Sequence, residues 1–105
     1  MSVTVWQVAE VPGASVQPSC DHLETGDPPL PEPLGCAECL RGGGRWVHLR
    51  QCLTCGHVGC CDSSPGQHAH AHARPGHDVG RPLEQGETWA WCYTDEAFLR
   101  PARRR

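Results

Sequence analysis

Eight cysteines and seven histidines in a chain of 105 residues constrain this sequence more than any other feature. Two Cys-x-x-Cys knuckles, Cys36-Ala-Glu-Cys39 and Cys52-Leu-Thr-Cys55, put paired thiols on tight turns, and His68, His72 and His77 follow downstream. Zinc takes four soft or borderline donors in a tetrahedron, and such a turn commonly supplies two of them. The pattern therefore predicts at least two closed zinc sites. The lesser alternative for a single knuckle is a buried or redox-active thiol pair, and eight cysteines could form four disulfides. A disulfide framework, however, has no use for seven histidines, and the stretch beginning Met-Ser-Val-Thr-Val-Trp lacks the basic and apolar regions of a secretory signal. The expectation is a cytoplasmic, reduced protein whose thiols hold metal.

The rest of the composition agrees. Only 38% of the residues are hydrophobic, a share that includes the cysteines. Ordering a backbone costs about 1–2 kcal/mol per residue, and small domains with so little apolar surface usually recruit a metal or disulfides. Net charge is -3, with nine Arg and no Lys, so no polycation is present to coat nucleic acid. No apolar run approaches the 18 or so residues of a membrane span. Lys, Ile and Asn, all encoded by AT-rich codons, are absent, which points to a GC-rich bacterial genome.

Local patterns predict a small α+β domain, a twisted antiparallel sheet with one or two short helices. Within residues 1–19, Val3 and Val5 share one side of an edge strand, Val8 is out of phase, and Pro12, Gly13 and Pro18 mark a linker. Residues 24–35 hold four prolines and read as a stiff surface loop. Alternation predicts a strand over 46–51, and the aromatic run Thr88 to Tyr93 a second. Gln-His-Ala-His-Ala-His-Ala, bounded by Pro65-Gly66 and Pro75-Gly76, predicts a helix over 67–73. Residues 100–105 read as a frayed basic tail.

The spacing Cys52-x2-Cys55-x12-His68-x3-His72 imitates a DNA-reading Cys2His2 finger. Its intervening twelve residues contain no Lys or Arg, and Pro65-Gly66 breaks the recognition helix such a finger needs, so the match is read as coincidence. Helical spacing puts His68 and His72 on one face, a turn apart, and taken alone would give both to one zinc.

Cys20-x-His22, Cys36-x2-Cys39, Cys52-x2-Cys55, Cys60, the His68/His72/His77 series and Trp91-Cys92-Tyr93 occur in an order that resembles the UBP-type zinc finger. This is the ubiquitin-binding finger of ubiquitin-specific proteases and of a cytoplasmic histone deacetylase. The resemblance spans residues 20–99. It implies one zinc on Cys36, Cys39, Cys60 and His68, and a second on Cys52, Cys55, His72 and His77. A third, more weakly held, would use Cys20, His22 and Cys92. Three-zinc relatives complete that site with a Cys three residues further on; here the position is Asp95, whose carboxylate can take the place ahead of the alternatives, water or Cys61. Cys61, His48, His57 and His70 are left over as packed or solvated side chains.

In the ubiquitin-binding relatives Cys-Gly-Arg-Tyr follows the Cys60 position, and its Arg and Tyr help receive the free Gly-Gly carboxylate. This chain has Cys60-Cys61-Asp62-Ser63, so an anion replaces the cation and opposes a carboxylate. Trp91, Tyr93 and, from its place near a family aromatic, Trp46 are the candidate partner-binding aromatics. Arg45 and Arg50 are the candidate replacement cations.

The leading reading is a monomeric, non-enzymatic zinc module that takes a protein or peptide tail. By analogy the tail could belong to a ubiquitin-like carrier, with ubiquitin itself bound weakly. A structural or metal-buffering protein is the alternative, because His-x-His-x-His is also a metal-rich tract. A zinc or cysteine hydrolase ranks third: Cys61 could pair with a histidine, but no orienting residue or oxyanion loop can be named.

Overall fold

The computed structural model describes residues 3–102. Its elements are β1 (Val3–Val8), β2 (Glu24–Gly26), α1 (Ala37–Gly42), β3 (Leu49–Cys52), β4 (Val58–Cys60), α2 (His68–His72), β5 (Val79–Pro82), β6 (Ala90–Cys92) and β7 (Ala97–Pro101). The strands form one sheet in the order β2-β1-β7-β6-β5-β3-β4, and every neighbouring pair is antiparallel.

β1 is not an edge strand. It lies between β2 and β7, with Trp6 opposite Pro101 and Val8 opposite Leu99. The side shared by Val3 and Val5 is the exposed one, about half open to solvent, whereas Trp6 is buried and donates its indole N–H to Thr25 Oγ1 at 2.9 Å. An aromatic side chain carries more apolar surface than a single valine, and it is Trp6 that the strand turns inward.

The proline-rich stretch begins with the edge strand β2 rather than with loop, and only then becomes irregular. Its backbone is pinned by Gln51, which is fully buried: the amide nitrogen donates to the carbonyls of Pro29 (3.0 Å) and Pro28 (3.3 Å), while its oxygen accepts from Arg81 Nε at 2.9 Å. Arg100 and Pro101 belong to β7, so the frayed tail does not begin at residue 100; residues 103–105 lie outside the described residues.

Three predicted elements are present with shorter bounds. The strand predicted over 46–51 is Leu49–Cys52, because Trp46 and Val47 are exposed and run outside the sheet. The predicted 67–73 helix is His68–His72, and the predicted 88–93 strand is Ala90–Cys92. Packing of α2 on the sheet depends on Gly59 of β4, where a Cβ would stand 2.6 Å from the Ala69 nitrogen. Only a residue without a side chain lets helix and strand approach so closely.

The hydrophobic core is thin. One cluster gathers Trp6, Leu53, Val79, Ala90, Cys92 and Leu99; the other consists of Cys36, Cys39 and Cys60, with Leu49 packed against them. Three of the seven largest fully buried side chains are cysteines (Cys36, Cys60 and Cys92), which makes the thiols part of the interior.

Candidate metal centres and an aromatic cleft

Three groups of four donors assemble, each with its ligand atoms within 4.8 Å of one another: Cys36, Cys39, Cys60 and His68; Cys52, Cys55, His72 and His77; Cys20, His22, Cys92 and Asp95. In the first, Cys36 is the N-cap of α1, and its Sγ accepts the Cys39 N–H at 3.5 Å. Cys60 ends β4 and its Sγ accepts the His68 N–H at 3.2 Å, which seats the start of α2 on the cluster. His68 Nδ1 then lies 3.2, 3.4 and 3.3 Å from the sulfurs of Cys36, Cys39 and Cys60.

The second group hangs from the turn after β3, closed by the Gly56 N–H on the Cys52 carbonyl at 2.8 Å. His72 Nε2 lies 3.3 Å from Cys55 Sγ, and His77 Nδ1 3.5 Å from Cys52 Sγ. His57 stacks on His72 at 4.3 Å between ring centroids and meets the Glu38 carboxylate at 2.9 Å, so a side chain from the first knuckle braces a ligand of the second cluster.

In the third group His22 Nδ1 lies 3.7 Å from Cys20 Sγ, 3.5 Å from Cys92 Sγ and 3.0 Å from Asp95 Oδ2. The other imidazole nitrogen faces the buried Asp78 carboxylate at 3.7 Å; Asp78 accepts in turn from Gly76 N–H and Thr94 Oγ1. A carboxylate behind the free nitrogen of a ligating histidine is a common way of fixing its tautomer.

These separations suit zinc. With Zn–S of about 2.3 Å and Zn–N of about 2.0–2.1 Å, sulfur and nitrogen on one tetrahedral ion stand about 3.5 Å apart. The electrostatics agree. Burial, then the neighbouring Cys36 thiol, pushes the Cys39 thiol up to about 12, and burial followed by Asp95 does the same to Cys20. So crowded a set of sulfurs resists ionisation until a dication is added, when the balance inverts. Burial and the adjacent His57 and His77 hold His72 below the usual histidine range, which keeps it in the neutral form a metal requires.

One feature differs from what helical geometry alone suggests: His68 and His72 enter different clusters. His70, off their shared face, enters none: it lies 3.4 Å from the Asp62 carboxylate and edge-on to Tyr93. No disulfide forms, and Cys61, the one cysteine outside the clusters, is buried against Ser64 Oγ at 3.5 Å. Burial works to raise its thiol, but Ser64, the backbone at His48 and Ser63, and the Arg50 charge outweigh that and leave it below the ordinary range. His48 offers Cys61 only its carbonyl; its ring faces Glu84 at 2.8 Å, so the two do not form a nucleophile pair.

Beside the second cluster a cleft of about 220 Å³ opens among Arg50, Asp62, Trp89, Trp91, Tyr93 and Phe98. Trp91 and Phe98 are paired across β6 and β7, their rings 4.6 Å apart, and Trp89 meets Phe98 edge-on at 5.4 Å. Tyr93 lies over Gly80, where a Cβ would stand 3.2 Å from its ring. Burial, and then the Asp62 charge, pushes its phenol up to about 12. Trp46 is not brought to this cleft: its ring lies against Gly35, beside Leu40. Sequence reasoning missed Trp89 and Phe98, although the period-two series Trp89, Trp91, Tyr93 signals one strand face. Of the two candidate cations, Arg50 lines the cleft and Arg45 does not.

Cross-connected Cys/His clusters on a small antiparallel sheet define a zinc-binding module. The model of the Zn-finger found in ubiquitin hydrolases and other proteins matches residues 36–103, and the chain belongs to that family. A Rhodopseudomonas palustris protein, solved by NMR in solution, is similar at 51% identity and a TM-score of 0.56, over 68% of this chain and 71% of that one. Among curated proteins none matches. Cys20 and His22 precede the matched segment, so the third cluster joins residues from outside it to Cys92 and Asp95 within it.

Proposed function

We propose that this protein is a zinc-held interaction module that binds three zinc ions and receives a flexible segment of a partner protein in the aromatic cleft. The carrying observation is the cleft itself, aromatic, half-open and mounted on strands that the clusters fix in place. A rigid strand beside a preformed aromatic cleft can accept an extended chain by stacking and backbone hydrogen bonds. Four donors drawn from distant parts of the chain favour this over metal buffering, as does His70, the middle histidine of the repeated tract, which faces Asp62 instead of a cluster. Each metal here is structural; when bound it supplies cross-links, and the chain's own cleft residues do the recognition.

The protein acts as a monomer in the reducing cytoplasm, where thiolate ligands survive. Among the described residues no helix is long and apolar enough to cross a membrane.

Ubiquitin binds weakly or not at all. The Arg that receives its carboxylate in relatives is replaced by Asp62, and losing one charge-assisted contact costs about 1.5–3 kcal/mol before repulsion is added. Amide-shift titration of the zinc-loaded protein tests the reading. Extended peptides should perturb residues 89–98, whereas ubiquitin should bind at least about a hundredfold more weakly than in its carboxylate-binding relatives. Absence of any perturbation there, with every peptide, would leave a purely structural protein.

A further inference from the structure

The cleft is lined by one charge of each sign. The Arg50 guanidinium lies 5.1 Å from the Trp89 ring centroid and donates to the Leu49 carbonyl at 3.0 Å. Asp62 sits on the turn between β4 and α2, its side chain 58% exposed. Among the described residues the only ion-pair partner of its carboxylate within 4.0 Å is the His70 imidazole, and Arg50 has none. Trp91, Tyr93 and the half-exposed Phe98 line the same cleft.

An aromatic face is negative and attracts a cation, and a guanidinium is favoured because it stacks on the ring while forking onto a carboxylate. Asp62 therefore suits a cation and opposes an anion. Arg50 needs an acceptor, which the main-chain carbonyl of an extended segment supplies. At about 220 Å³ the cleft is smaller than the usual 300–1,000 Å³ or so of a small-molecule site, and matches one side chain with its flanking backbone.

We propose that the cleft reads a basic side chain, arginine ahead of lysine, within an extended partner segment: the cation rests against Trp91 and Tyr93 beside Asp62, and the segment's carbonyl is received by Arg50. This rests on the reading of the cleft as a peptide site and names its ligand chemistry. The recognised feature is thus an internal side chain rather than a chain end.

The test uses the zinc-loaded protein and acetylated, amidated nonapeptides that differ only at the central residue: Arg, Lys, the neutral isostere citrulline, or Glu. A fifth peptide ends in Gly-Gly with a free carboxylate. Amide shifts and tryptophan fluorescence report binding. The Arg peptide should saturate and perturb residue 62 together with 89–98, and citrulline should weaken it about tenfold or more. Asp62→Asn should weaken the Arg peptide about fivefold or more and leave the citrulline peptide unchanged. Phe98→Ala, with unchanged zinc content as proof of folding, should weaken every peptide. Equal affinity for Arg and citrulline, indifference of the Arg peptide to Asp62→Asn, or tightest binding by the Glu or Gly-Gly carboxylate peptide would overturn the proposal. If no peptide of any charge perturbs residues 89–98, the peptide-site reading itself fails and the inference goes with it.

Discussion

His68 and His72 stand four residues apart on α2 and face different clusters: His68 Nδ1 lies 3.3 Å from Cys60 Sγ, and His72 Nε2 lies 3.3 Å from Cys55 Sγ. A five-residue helix this short is not stable alone. It is held at both ends by the groups it ligates with, and it ties the two knuckles to each other.

Metal removal should therefore unfold the domain rather than loosen it. Zinc contributes an apparent ~10–16 kcal/mol per structural site, more than the net stability of an ordinary small domain. Strong chelation is expected to abolish the amide dispersion and the sheet signal in circular dichroism together. Retention of both would mean that the apolar cluster around Trp6, Leu53 and Leu99 suffices.

The three centres should not be equivalent. Cys39→Ser and Cys55→Ser each remove a donor from a cluster tied to α2, and both should yield unfolded protein. Asp95 is an exposed carboxylate ligand, so Asp95→Ala should lower zinc occupancy by one ion or less and leave the fold intact. Metal analysis of the purified variants distinguishes the cases; loss of all metal from Asp95→Ala would show the third centre to be essential.

Acid should destabilise the fold and release metal. His72 is held below its ordinary value of 6.5, so the unfolded chain takes up a proton there before the folded one does. Its stabilising contribution is complete above that value and declines as pH falls towards the lower folded value. Asp95 is held below 3.8, chiefly by its hydrogen bond with Cys20 and also by His22, and its contribution declines only as pH falls below 3.8. Protons compete with zinc for thiolate, imidazole and carboxylate donors, so release followed with a chromogenic chelator should grow as the pH is lowered. Release that begins on raising the pH would contradict the sign.

Gly59→Ala should damage both α2-linked centres at once. The new methyl would meet the backbone of Ala69 at 2.6 Å, and a rigid backbone cannot yield as a side-chain tip can. Overpacking of this kind costs about 1–3 kcal/mol. A lower midpoint in chemical denaturation, with weaker zinc retention, is expected; unchanged stability would mean that α2 shifts freely on the sheet.

The chemistry of this chain was more legible in its sequence than the fold. Cysteine and histidine are rare and their donors specific, so the spacing of Cys36, Cys39, Cys52 and Cys55 announced metal sites without knowledge of any strand. Partition of His68 and His72 was not readable from helical geometry, because a shared face does not say which sulfurs wait beneath it; only the family resemblance divided them. Strands β2, β4, β5 and β7 and helix α1 were missed because each is three to six residues long and every one carries glycine or proline. Their pairing is dictated by tertiary contacts rather than by local propensity. Trp46 illustrates the same limit: its likeness in position to a family aromatic did not bring it to the cleft, whereas Phe98 reached the cleft through its register with Trp91.

Native mass spectrometry of the intact protein tests the account most directly, because its mass counts ions and disulfides together. The account predicts the fully reduced chain with three zinc ions, one of them lost first as the pH is lowered. A folded chain carrying a single zinc, or one that is metal-free with its cysteines paired in four disulfides, would contradict it.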